Sequence, residues 1–416
     1  MLTRAIMSHP ARLLFWLLLL TSSAMAQGKN LLFYGNSLTY YVWGYGVPEV
    51  VRWIAIEAGH PAPTLVQAFS GGATLQYHAT NPTQVAFITN ALPAGETWDN
   101  VIMQGHLLEA TNGVGFNSAV FLSSAPAVLN NVRNHSPAAR AVMFQTWASA
   151  YGQMYYPSPW ADPMAFHTEV RGNYHQVVSD MNATFGPGAA VNAAVGDAVS
   201  LLEWDPMWYE NDLFHPNPSL ILLTGMCIYT AIYGEPVCGI EPAWNPAGPL
   251  AQALAVYGLG EADWHHLAGI ADRCADPSLR RFPGSGDHLL LETGVDGLPA
   301  TACPTQSVTF GTPTELRVRS LNGVFDAAPC LLLVGLFPTA LPPAPSVPYP
   351  EIAFDLGGSL LLASAVDLTT PLSLAFPMPI TLPGWSAIVQ GVALQASGET
   401  GNPLLTATDG HELVFF

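Results

Sequence analysis

The chain has 416 residues, half of them apolar and only 10% charged, with 37 glycines and 36 prolines. That length suits two domains, and the composition excludes wholesale disorder, coiled coil and collagen. Twelve basic against thirty acidic residues give a net −18, and Lys29 is the only lysine. Nucleic acid is therefore a poor partner, because phosphate binding needs clustered lysine and arginine.

Arg4 and Arg12 precede an apolar run from Leu13 to Leu20, followed by Thr21-Ser22-Ser23 and then Ala24-Met25-Ala26. This is the pattern of a secretory signal peptide over residues 1–26, with cleavage after Ala26. The run falls short of the roughly 20 residues a bilayer crossing needs. Its removal leaves ten basic and thirty acidic residues, a net −20, and predicts a secreted, periplasmic or cell-surface protein. No later segment reads as transmembrane; the apolar stretch from Leu220 to Ala231 is too short.

Residues 27–240 alternate short apolar runs with longer amphipathic ones, the βαβ rhythm of an α/β domain with a helix-covered parallel sheet. Strands are predicted at Leu31–Tyr34, Thr64–Phe69, Asn100–Gln104, Ala139–Phe144 and Ala189–Val195. Between the first two, Val47, Val50, Val51, Ile54, Ala55 and Ala58 recur at helical spacing, with Pro48 in the first turn and Gly59 ending the run. Further helices are predicted at about 82–92, 118–134, 162–184 and 217–233, the last with an apolar face of Leu220, Leu223, Cys227 and Ala231. Residues 241–282 read as a helical appendage or linker, with helical patterns near Leu250–Tyr257 and Glu261–Arg273. From 283 to 416 the period changes to two between glycine and proline turns, which predicts an all-β, sandwich-like module. Its strands are expected at Leu316–Ser320, Leu331–Leu336, Leu360–Ala363, Ser386–Leu394 and Glu412–Phe416.

Export permits disulfides, and five cysteines leave at least one unpaired within the chain. Cys303 with Cys330, in the same β-rich region, is the first expected pair and Cys238 with Cys274 the second. Cys227 reads as a buried, inert thiol. No C-x-x-C spacing occurs, so no metal or thiol redox motif is supported, and no cofactor is implied.

The most informative segment is Gly35-Asn36-Ser37-Leu38-Thr39, directly after the first strand. A serine there lies at the carboxyl edge of a parallel sheet, where open α/β folds place ligands. The turn that follows offers free N–H groups for an oxyanion. A serine hydroxyl needs a base, and the far end of the domain supplies Asp212-Leu213-Phe214-His215. Asp212 can hold the imidazole of His215 in one tautomer while its other nitrogen takes the Ser37 proton.

With these segments the chain resembles the SGNH (GDSL-like) hydrolases over about residues 30–235, in particular a secreted, poorly characterised branch. Gly35, Ser37 and Thr39 match the family's first motif, and Asp212 and His215 its last. The resemblance implies a flavodoxin-like three-layer sandwich with a five-stranded parallel sheet. It also implies a serine esterase, of carboxylesterase or acetylesterase type, with Ser37, Asp212 and His215 as catalytic residues. The family's oxyanion glycine is matched by Gly71 or Gly72 beside the Ser37 N–H. Its oxyanion asparagine is absent; Gln104 is the substitute donor, with His106 as the second candidate. Pro216 stands where that branch commonly carries a glycine.

The implied substrate is a small-molecule or polysaccharide ester, often an acylated carbohydrate. The rivals are a lipase or thioesterase for longer acyl chains and a non-catalytic exported binding protein on a hydrolase scaffold. Asn36, His106, Trp147 and Tyr151 are candidate substrate-lining residues; the aromatic stretch from Trp147 through Tyr155, Tyr156 and Trp160 suits sugar stacking or plain loop packing equally. Asp205 is a rival for the orienting acid. His265-His266, Asp287-His288 and His411-Glu412 read as ordinary surface, turn and strand residues. The chain has no G-x-S-x-G elbow, H-E-x-x-H motif or P-loop.

Overall fold

The computed structural model describes residues 28–40, 45–341, 343–379 and 382–416; the expected signal peptide lies outside them. The N-terminal part is a parallel five-stranded sheet of order β2-β1-β3-β4-β5, formed by β1 (Asn30–Gly35), β2 (Thr64–Phe69), β3 (Asn100–Gln104), β4 (Arg140–Phe144) and β5 (Ala190–Ala193). This is the doubly wound order whose switch point lies between β1 and β3, where ligands bind at the carboxyl edge. Six of its helices are α1 (Val47–Glu57), α2 (Leu75–Thr80), α3 (Pro82–Asn90), α4 (Ser118–Arg133), α5 (Pro163–Phe185) and α6 (Val195–Leu201); α7 (Pro218–Tyr233) completes the set. α1 packs on α7, and α4 packs on α2 and α5.

Three differences from the sequence reading have local causes. β5 stops at Ala193 and Val195 opens α6, because a short apolar run reads equally as strand or buried helix. The short helix α2 was not expected; Thr74 caps it by accepting from the Tyr77 N–H at 3.2 Å. α7 has no single apolar face, being buried nearly all round from Leu220 to Thr230, since α1 and α9 (Glu261–Cys274) both pack on it.

The stretch expected as a linker forms α8 (Pro249–Val256) and α9, whose Leu250, Leu254, Trp264, Leu267 and Ile270 join the core of the sheet domain. The C-terminal module contains two sheets. One has the path β10-β9-β12-β14-β7, with β13 paired to β12; the other is β11-β8-β6. The strands are β6 (Leu289–Val295), β7 (Thr305–Val308), β8 (Pro313–Ser320), β9 (Cys330–Pro338), β10 (Leu360–Ala365), β11 (Leu372–Pro377), β12 (Trp385–Ala393), β13 (Thr406–Ala407) and β14 (His411–Phe415). Leu291, Leu316 and Val318 of one sheet meet Leu332, Val389 and Leu413 of the other in a separate core. β6 escaped the period-two reading because all seven of its residues are buried.

The disulfide corrects both expected pairings: Cys238 joins Cys303, with 5.6 Å between Cα atoms. Cys330 is instead buried in the β-module core, and Cys227 and Cys274 are free thiols. The bridge ties the segment after α7 to the strand module, closing a loop of 65 residues. Replacing both partners by serine should therefore cost about 2–4 kcal/mol, read as a lowered denaturation midpoint.

Burial pushes the His411 imidazole down to about 4, and its Nδ1 lies 2.7 Å from Thr293 Oγ1. Its folded-state value lies below the unfolded one, so stability should fall as pH drops from about 6.5 to about 4, by on the order of 3 kcal/mol. Thermal unfolding across that range should show the loss in the native chain and a flatter profile in His411→Gln.

Candidate active site

The turn that carries Ser37 is built from the end of β1. Thr39 N–H donates to the Asn36 carbonyl at 3.0 Å and Leu38 N–H to Asn36 Oδ1 at 3.1 Å. Gly35 is required by crowding: a Cβ there would lie 2.2 Å from Thr39 Oγ1. The turn presents Ser37 half-buried at the sheet edge.

The second half of the site is the loop between Tyr209 and Pro216, closed by Glu210 N–H donating to the His215 carbonyl at 2.9 Å. Leu213 takes a left-handed φ of 66°, which bends the chain enough for the Asp212 carboxylate to meet the residues after it. Asp212 Oδ1 accepts from the Phe214 and His215 N–H groups at 3.2 and 2.9 Å, and Oδ2 lies 2.6 Å from His215 Nδ1. Burial alone would push the Asp212 carboxyl up, but the hydrogen bonds from the His215 ring and from these two N–H groups hold it below its ordinary value. His215 Nε2 lies 2.8 Å from Ser37 Oγ, across 178 residues of chain. Serine, imidazole and carboxylate thus form one hydrogen-bonded relay that is open to solvent, with His215 and Asp212 side chains 30% and 40% exposed. Asp205 is occupied elsewhere, accepting from the Met207 N–H.

The aromatic stretch after β4 holds this loop from beneath. Trp147, expected as a lining residue, is fully buried and donates from Nε1 to the Phe214 carbonyl at 3.0 Å. Tyr209 Oη donates to the Ala148 carbonyl, Ala150 N–H to the Leu213 carbonyl and Gln153 Nε2 to the Asp212 carbonyl. Trp160 stacks on Phe166 and Tyr156 Oη bonds the Ser149 carbonyl, so loop packing accounts for these rings; Tyr151 alone among the lining candidates is exposed.

The glycine turn after β2 lies open. Gly71 and Gly72 are exposed, Gly72 at φ +65°, and among the described residues an added Cβ at either would meet nothing within 4 Å. No hydrogen bond to a protein acceptor is made by the N–H of Ser37, Gly71 or Gly72 among the described residues. They are free donors of the kind an oxyanion needs.

Gln104 departs from its expected role. It is wholly buried and turns its oxygen toward the Ser37 turn, accepting from Asn36 N–H at 2.9 Å and Thr39 Oγ1 at 2.8 Å. Its nitrogen donates to the Gly105 carbonyl. The reason is the backbone N–H of Asn36, which has to find an acceptor in a dry place. Asn36 is likewise buried and donates from Nδ2 to the Ala73 carbonyl at 2.9 Å. His106 remains the side-chain donor candidate: its Nδ1 accepts from Leu108 N–H, burial lowers its pKa, and the neutral ring therefore carries its proton on Nε2. Among the described residues no group of histidine, cysteine, aspartate or glutamate could hold a metal ion, and no helix is long and apolar enough to cross a membrane.

No family model and no curated protein matches the chain. Solved structures do. A protein classed as an SGNH hydrolase from Slackia heliotrinireducens is 19% identical, with half of this chain covering all of that one at a TM-score of 0.39. A DUF4886 family protein from Bacteroides uniformis is 16% identical over 56% of this chain and 96% of its own, TM-score 0.41. A protein classed as a GDSL-like lipase from Parabacteroides merdae is 14% identical over 50% and 96%, TM-score 0.38.

Removing the Gln104 amide strands the Asn36 N–H and the Thr39 hydroxyl. Gln104→Ala should therefore cost about 2–4 kcal/mol of stability, read by denaturant titration. A side chain whose only duty was to donate to a bound ligand would leave the midpoint in place.

Proposed function

We propose that this protein is a secreted serine ester hydrolase of the SGNH type, acting through an acyl-enzyme on a small ester or an acylated carbohydrate. The observation that carries the reading is the unbroken Ser37–His215–Asp212 relay at the carboxyl edge of the parallel sheet, the edge on which the N–H groups of Ser37, Gly71 and Gly72 make no hydrogen bond among the described residues.

In the first half-reaction His215 Nε2 takes the Ser37 proton as Oγ attacks the ester carbonyl. The N–H groups of Ser37 and of Gly71 or Gly72 receive the negative charge that develops on the carbonyl oxygen. Collapse of the tetrahedral intermediate breaks the ester C–O bond, and the imidazolium returns its proton to the leaving alcohol. Water then attacks the acyl-serine by the same route and releases the acid. Asp212, kept ionised by its hydrogen bonds, fixes the tautomer and stabilises the imidazolium. The solvent-open relay suits a bulky alcohol, and a chain with so large an acidic excess disfavours anionic substrates.

The test needs no knowledge of the substrate. Treated with a fluorophosphonate and mapped by peptide mass spectrometry, the mature protein should carry one adduct, on Ser37, and His215→Ala should lose it. An unlabelled Ser37 in folded protein, or an adduct on another serine, refutes the reading. Acetyl against long-chain model esters then separates an acetylesterase from a lipase.

A further inference from the structure

Glu109 has no part in the relay, yet it is a carboxylate with 2% exposure on an uncharged turn. Its oxygens are spent on backbone. Oε1 and Oε2 each accept from Leu75 N–H at 2.9 Å, Oε1 also faces Gln76 N–H at 3.4 Å, and Oε2 accepts from His106 N–H at 3.0 Å. Its own N–H donates to the His106 carbonyl at 2.9 Å. One side chain therefore grips both the turn after β3 and the first turn of α2, into which the Gly71-Gly72 loop runs. Gly105 leaves the slot for it: a Cβ there would lie 2.9 Å from Glu109 Oε2. Burial raises the Glu109 carboxyl, opposed by the N–H groups of Leu75, His106 and Gln76.

Two other buried side chains complete the pattern. Asn36 ties the Ser37 turn to the glycine loop, and Gln104 ties the Ser37 turn to β3. Glu109 ties the β3 turn back to the glycine loop, so the turns following three neighbouring strands are closed into a triangle by three side chains. Both glycines are exposed, and among the described residues no atom lies within 4 Å of where a Cβ on either would stand, so the hold on this loop comes from side chains such as these.

We propose that Glu109 is a positioning residue for the oxyanion donors: it sets where the Gly71 and Gly72 N–H groups stand relative to Ser37. This rests on the esterase reading above. Since an oxyanion exists only after attack, slackening the loop should weaken the transition state and leave ground-state binding nearly unchanged. Misplacing a catalytic group by about 1 Å can cost about a hundredfold in rate.

The experiment compares native protein, Glu109→Gln and Gly105→Ala on an acetyl model ester, with fluorophosphonate labelling and thermal unfolding alongside. Glu109→Gln replaces an acceptor oxygen by a donor that faces an N–H. It should lower kcat about 10- to 100-fold with KM within about threefold. Gly105→Ala displaces the carboxylate without removing it, and should move kcat the same way by a smaller factor, which keeps the test decisive if the first variant does not fold. Glu109→Gln folded and with native kcat, Gly105→Ala folded and with native kcat, or either variant raising KM while sparing kcat, overturns the positioning role alone. Native protein that is folded yet unlabelled at Ser37 overturns the esterase reading and this inference with it.

Discussion

A buried polar group that cannot reach water has to be satisfied by the protein, and at the carboxyl edge of this sheet that requirement organises everything around Ser37. The Asn36 N–H is too deep for solvent, so Gln104 turns its oxygen to it. The Gln104 amide is then fixed against the end of β1, and Asn36 spends its own amide on the glycine loop. The Ser37 turn cannot shift without stranding several of these groups at once. Rigidity of that kind is what the proposed oxyanion site would require, because its donors must stand in place before charge develops.

The histidine loop is held by a different means. It is short, exposed only at Asn211 and Asp212, and bent through a left-handed leucine, and what supports it is the fully buried Trp147 and the row of hydrogen bonds with residues 148–153. One side of the site is thus braced by buried amides and a carboxylate, the other by an aromatic floor. The relay spans the two supports with a single hydrogen bond between His215 and Ser37.

Scarce cations serve the joint between the two parts of the chain. Arg171 of α5 reaches both Asp197 and Glu399, Arg319 of β8 reaches Glu203, and Arg280 meets the buried Asp409 at 2.7 Å. Asn322 adds hydrogen bonds to Glu203 and to the Ser200 carbonyl. These pairs add little net stability, since solvent screening at the half-exposed Arg171 and Arg319 and desolvation at the buried Arg280–Asp409 offset much of their attraction. The Cys238–Cys303 bridge crosses the same joint.

The parallel sheet, its strand positions and the serine and D-x-x-H segments were legible in the sequence, because alternation of apolar period and placement of a reactive residue after a strand are local signals. Asp212 and His215 are three apart, so their pairing was local too. β6 was not legible, since a strand buried on both faces has no period, and neither was α2, whose cap is a single threonine. The partner of Cys303 and the duty of Gln104 were misread from spacing and from residue type. Both depend on what lies opposite in space: Cys238 comes from the segment after α7 and packs on the same core as Cys303, and the Asn36 N–H comes from a neighbouring strand's turn. Glu109 gave no sequence signal at all. The sequence by itself determined the strands of the parallel sheet and the local pairing of Asp212 with His215; only the tertiary structure decided which polar atoms face each other across the sheet edge, because hydrogen-bond partners 34 to 178 residues apart are chosen by packing and not by local periodicity.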